Sequence, residues 1–236
     1  MKPPALELIA VLTLAIAGLG VAAGPSRAAD GAHPEVVELF QSQGCSSCPP
    51  ANANVMALSA RPDILALSFG VTYWDALGWK DTFASPRFTA RQYDYAKGLG
   101  HSGVFTPQVV VNGRRDGIGV DRGELQSLLL AADRGDVGPA ISIRARAVTV
   151  SAARTARAAD VWLVRYDPRI VQVSIKRGEN GGKALPHKNV VRELRRIGRW
   201  TGAAVTLSIP PVADPALRTA ILVQAPGGGP ILGAAG

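Results

Sequence analysis

Val37-Glu38-Leu39-Phe40-Gln41-Ser42-Gln43-Gly44-Cys45-Ser46-Ser47-Cys48-Pro49-Pro50 joins two stretches of opposite character. Upstream, Glu35 to Phe40 reads as a short strand, with Val36, Val37, Leu39 and Phe40. Downstream, Ala51 to Ala60 is rich in helix formers, and Val55, Met56 and Leu58 give it apolar positions. A serine at the cap and proline in the first turn are helix-start signals. Arg61-Pro62-Asp63 closes the helix. Ile64 to Val71 is then a continuous apolar run of strand length, as expected of a strand buried on both faces.

The two cysteines therefore sit where a strand passes into a helix. A helix N-terminus carries unpaired N–H groups and a partial positive charge. A thiolate there is stabilised and becomes the attacking sulfur at neutral pH. CxxC in this α/β context reads as a thioredoxin-like redox motif. Cys45, at the mouth, is the expected nucleophile. Cys48, one turn in, is the expected resolving thiol, which attacks the mixed disulfide and releases the product. The chain has only two cysteines, so an intramolecular disulfide must join them. A structural staple usually closes a longer loop, because closing a very short one removes little chain entropy.

Working outward, Tyr73 to Gly100 gathers most of the aromatics, and Ser85-Pro86 starts a helix reaching about Lys97. Val104 to Val111 reads as a strand interrupted by Thr106-Pro107. A proline that opens a strand facing the CxxC is usable in the cis form, or in the trans form as a strand's first residue. Asn112-Gly113 is a two-residue hairpin signal, Arg114 to Val120 the return strand. Asp121 with Glu124 forms a capping box for a last helix ending near Asp133. Beyond Gly135 to Pro139 the pattern alternates, at Ile141 to Val150, Val161 to Tyr166, Ile170 to Ile175, Ala203 to Ile209, Arg218 to Gln224 and Ile231 to Leu232. The expected fold class is an α/β thioredoxin-like domain over 29–136, then a small all-β, antiparallel sandwich-like domain over 140–236. Arg177 to Trp200 is expected to interrupt that second domain as a helical or looped insert.

Residues 1–28 read as a secretory signal peptide. Lys2 gives a positive start, Leu8 to Ala23 is almost wholly apolar, and Ser26-Arg27-Ala28 offers a small-x-small cleavage site. The run is short for a permanent span, and no other segment is long and apolar enough for one. The expected location is periplasmic or secreted, where disulfides persist. Net charge is −3 over 29–138 and +10 over 139–236. For an exported protein this points to an anionic surface or an acidic partner, not to nucleic acid. The expected partners are protein or small-molecule thiols and disulfides, with a redox partner protein and no cofactor.

The stretch around the cysteines, with Val104-Phe105-Thr106-Pro107-Gln108 and Arg177-Gly178-Glu179-Asn180, closely resembles a bacterial family of secreted thioredoxin-like proteins classed as a domain of unknown function. The resemblance implies a thioredoxin-like first domain and an exported location, and no particular reaction. Relative to thioredoxin, the chain carries Ser-Ser between the cysteines and an aromatic-rich insert before the proline.

Other residues leave two readings open. Glu38 is either a proton acceptor near the resolving thiol, as thioredoxins place an acid on this strand, or an ordinary strand residue. Two thiolates and a histidine could bind copper or zinc, making the protein a metal-binding or partner-docking module without turnover. Of His33, His101 and His187, His101 is the candidate ligand, six residues before Pro107. Tyr73, Trp74 and Trp79 form either a contact surface or core. Glu179-Asn180 and His187-Lys188-Asn189 either lie on a solvated basic face or hold the two parts together. A third possibility is an inert disulfide, with function carried by the β domain; a buried Cys45 would point that way.

Overall fold

A computed structural model of the chain describes Met1, residues 30–155 and residues 157–236. The signal peptide expected over 1–28 lies, Met1 apart, outside the described residues. Strand β1 (Glu35–Gln41) and β2 (Ile64–Gly70) pair in parallel, with helix α1 (Cys48–Leu58) as their crossover. Every residue of both strands is buried, which is what their unbroken apolar character requires. Helix α2 (Pro86–Leu99) begins with the Ser85 side chain accepting from Arg87 N. Strand β3 (Gln108–Val111) runs antiparallel to β1, and β4 (Arg115–Gly117) antiparallel to β3. Asn112 and Gly113, both at positive φ, turn the chain between them, the backbone that a type I′ turn needs. Helix α3 (Arg122–Ala132) has the expected cap, Asp121 accepting from Glu124 N at 2.8 Å.

The second half supplies β5 (Ile141–Arg144), β6 (Ala147–Val150), β7 (Ala159–Asp167), β8 (Val171–Ser174), β9 (Ala184–His187), β10 (Val190–Trp200), β11 (Val205–Ser208), β12 (Arg218–Gln224) and β13 (Ile231–Ala235). The expected helical or looped insert at Arg177 to Trp200 is corrected here: it contains two strands, β9 and the eleven-residue β10. Strand β10 hid because its pairing with β7 shifts register at Val191/Glu193 and again at Arg196/Gly198. Two such irregularities destroy the period-two pattern by which a strand is read.

The architecture is mixed α/β. One eight-stranded mixed sheet has the order β13-β12-β7-β10-β2-β1-β3-β4; a three-stranded antiparallel sheet, β11-β6-β5, and a hairpin, β8-β9, accompany it. The sandwich-like packing expected after residue 140 is present where Val148 and Val150 meet Val161, Leu163, Ile221 and Val223. Its second layer, however, is the large sheet itself, because β10 pairs in parallel with β2 at Val190–Ser68. A further core, on the α2 side, runs from Val36, Phe40 and Leu67 to Val164, Leu194 and Leu222. On the opposite face of β1, Val37 and Leu39 pack on Ala51 and Val55 of α1 and on Leu125 and Leu129 of α3. The cysteines stand at the end of that layer.

Candidate functional site

Cys45 and Cys48 are joined in a disulfide, with Cα atoms 5.4 Å apart. Cys48 is the first residue of α1, Ser47 is its N-cap and makes no side-chain cap bond, and Pro49 occupies the first turn. The first turn itself holds no acidic residue, and the carboxylate bonded at Ser46 just before it, Glu179, comes from another segment. The Thr106 hydroxyl donates to Cys45 Sγ at 3.4 Å, and Trp74 Nε1 donates to that hydroxyl at 2.8 Å. The Thr106–Pro107 peptide is cis. Cys45, Cys48, Thr106 and Pro107 are thus one neighbourhood, built from the β1–α1 junction and the entry to β3.

The disulfide is covered. Cys45 is 0% and Cys48 1% exposed, while Ser46 and Ser47 between them face solvent. The cover comes from the loop between β8 and β9. Asn180 Nδ2 donates to the carbonyls of Gln43 (3.0 Å) and Cys45 (2.8 Å). The Glu179 carboxylate accepts from Ser46 N at 3.0 Å, and hydrogen bonds from the Ser46 side chain and backbone hold its pKa below the ordinary value. From the other side, Trp79 Nε1 donates to Gln43 Oε1 at 2.9 Å, and Asp81 accepts from Gln43 N at 2.7 Å. Burial pushes the Asp81 carboxyl up, against the pull of the Gln43 and Phe83 backbone N–H donors. Glu179-Asn180 therefore tie the β8–β9 hairpin to the cysteine loop. Trp74 and Trp79 aim polar edges at the site, and Tyr73 remains at the surface.

Glu38 needs correction as the proton acceptor. Side chains alternate along a strand, and Glu38 shares the side of Val36 and Phe40, which belong to the α2-side core. The cysteine helix is on the other face, with Val37 and Leu39. The Glu38 carboxylate instead takes a bidentate pair from buried Arg91, at 2.7 and 3.0 Å, and a hydrogen bond from Tyr95. Gln224 donates to the same Tyr95 hydroxyl at 3.0 Å. Burial holds that phenol well above its ordinary pKa.

His101 is held at the surface by Asp116, at 2.8 Å, rather than turned to the cysteines. His33 pairs with Asp30. Among the described residues no group of three His, Cys, Asp or Glu is placed to hold a metal ion. The histidine that shares a cavity with a cysteine is His187, which lines it together with Cys48. Its place depends on strand β9, which ends 139 residues after Cys48 (187 − 48), a distance over which sequence spacing carries no signal.

No helix among the described residues is long and apolar enough to cross a membrane. Residues 36–224 match the family described as "Protein of unknown function (DUF1223)". A crystal structure of a protein from Agrobacterium tumefaciens is similar over 89% of this chain and 95% of that one, with 31% identity and a TM-score of 0.70. HBP35 of Porphyromonas gingivalis is similar over 87% of this chain and 75% of its own, with 11% identity and a TM-score of 0.55, a likeness of fold alone. No curated protein matches the chain.

Proposed function

The chain belongs to this family of unknown function, and we propose that it is an exported thiol–disulfide oxidoreductase whose redox-active pair, Cys45 and Cys48, is carried on a thioredoxin-like unit spanning β1 to α3. The observation that carries the reading is a disulfide at the N-terminus of α1 with the Thr106 hydroxyl on Cys45 Sγ. The parallel β1–α1–β2 unit, the antiparallel β3–β4 pair and the closing helix α3 support it. On reduction, Cys45 is the sulfur that the helix terminus and the Thr106 hydroxyl stabilise as thiolate. It attacks a partner disulfide, and Cys48 then closes on Cys45 and releases the partner's thiolate. The partners are protein or small-molecule thiols and disulfides, met in the periplasm or outside the cell.

A second reading has its own observation: Cys45 is fully buried. In it the disulfide is a permanent staple and the strands beyond residue 140 carry the function. The equilibrium reduction potential, found by thiol trapping in glutathione and dithiothreitol buffers, separates the two. A reversible potential between about −120 and −270 mV is expected of an exchanging pair. A potential below about −300 mV, typical of structural disulfides, or no reversible titration, would sink the oxidoreductase. Export is tested by recovering the protein from the periplasmic fraction and sequencing its N-terminus, expected near Ala29.

A further inference from the structure

A cavity of about 190 Å3 lies between α1 and β9, lined by Cys48, Pro49, Ala53, Met56, Leu185 and His187 among others. It reaches the second cysteine and not the first. His187 is only 3% exposed, and its Nε2 has no hydrogen-bond partner among the described residues. A buried polar atom left unpaired is costly, so this one is open to a partner in another state of the site.

The surroundings favour one tautomer of this ring. Asn52 Nδ2 donates to Pro186 O at 2.6 Å, so Asn52 Oδ1 is left to face a donor, Gln41 Nε2, at 3.0 Å. The same Gln41 nitrogen donates to Ser68 Oγ at 2.7 Å and faces His187 Nδ1 at 3.5 Å. Both hydrogens of that amide are thus spent, and a proton on Nδ1 would face an NH2 group that offers no acceptor, so the neutral ring bears its proton on Nε2. Burial pushes the His187 pKa down to about 4, so the ring is neutral where thiols exchange. Phe83 packs edge-on against it, with the Arg192 guanidinium 4.3 Å from the Phe83 ring centre. The other charged groups nearby are Asp81, turned to Gln43 and Phe83 N–H, Lys183, bound to Asn180, and Lys188, next in the chain. Besides Cys48, α1 offers no ionisable group, and Glu38 of β1 lies on the far face. Among the described residues none of these pairs with His187.

We propose that His187 is the positioning residue for Cys48: when the disulfide is reduced, its Nε2–H donates to the Cys48 sulfur and favours the thiolate. The inference rests on the redox reading of the pair. In the closing step the Cys48 thiolate attacks Cys45 Sγ of the mixed disulfide. The Cys45–Cys48 bond forms and the bond to the partner's sulfur breaks. That sulfur leaves with the electron pair and takes a proton from water. His187 neither gains nor loses a proton; it is a fixed donor, a neutral counterpart to the acid that the sequence suggested in Glu38.

The test reads Cys48 alone, by ultraviolet thiolate absorbance of the Cys45→Ser protein across pH. Replacing His187 by Phe is expected to cut the thiolate fraction at pH 7 about tenfold, the worth of one hydrogen bond to a charged group. His187→Gln, which keeps an N–H donor, should hold that fraction within about threefold of the parent. A folded Phe variant with an unchanged titration would overturn the role. The proton and nitrogen resonances of His187 Nε2 check it without substitution, shifting downfield on reduction of the wild-type protein; no shift would also overturn it. Neither measurement needs a partner, so failure of the wild-type pair to exchange would count against the oxidoreductase and not against His187.

Discussion

Glu38 is one residue away from the face of β1 that meets the cysteine helix, and that step decides what it does. On the α2 side its carboxylate is neutralised by Arg91 and buried beside Tyr95 and Gln224. A buried ion pair that loses one partner leaves a charge with no solvent and no counter-ion, at a cost of about 3–5 kcal/mol. Arg91→Met is therefore expected to lower unfolding free energy by about that much, measured by urea denaturation with an unchanged m-value. Adding Glu38→Leu should recover most of the loss, since the stranded charge goes with it. A single variant within about 1 kcal/mol of wild type would mean that the carboxylate finds another partner. An acid on this strand suggests a proton acceptor only until alternation is counted, since Val37 and Leu39 on either side of Glu38 form the face that meets the cysteine helix. Cys45, Cys48 and Thr106 were legible because each depends on local chemistry: a helix start, a CxxC spacing, a proline opening a strand.

At the scale of elements, the site is completed by the hairpin β8–β9, whose Glu179-Asn180 and His187 the sequence marks as residues able to hold the two parts together without showing what they reach. Asn180 and His187 act from a segment whose loop contains Gly178, Gly181 and Gly182 and which carries no strong apolar period. Gly178, at φ +73°, lies with its Cα 3.5 Å from where a Cβ on Gly78 would stand. The cover loop and the Trp79 segment thus meet backbone to backbone. What holds the cover down is polar: two bonds from Asn180 and one to Glu179. Each is worth about 0.5–1.5 kcal/mol net. Asn180→Ala removes two, so the disulfide is expected to be reduced by dithiothreitol about tenfold faster, with unfolding free energy lowered by no more than about 1–3 kcal/mol. An unchanged rate would show that attack reaches the sulfurs by another way, for which the cavity at Cys48 is the alternative route.

At the scale of the molecule, the shift in pattern near residue 138 does not separate two cores, since Leu67 and Phe69 share one with Val164, Val191 and Leu222. Titrating groups in the two halves therefore act on a common stability, and two of them oppose each other. Burial, then its neighbour Asp133, raises Glu35 from 4.5 to about 7. The folded protein thus holds a proton that the unfolded chain has released, and stability falls as pH rises through that window. His187 is lowered from 6.5 to about 4 by burial. There the unfolded chain binds the extra proton, and stability rises with pH across the window. Between about pH 4.5 and 6.5 the two slopes, each at most about 1.4 kcal/mol per pH unit, offset each other. Glu35→Gln should uncover a rise in stability over that interval, and His187→Phe a fall, with wild type between them. Other groups titrate alike in all three proteins, so the differences between urea-derived stabilities carry the test. Parallel pH profiles would mean that neither group keeps its shift, and that the sheet joining β10 to β2 does not couple them in one folding unit.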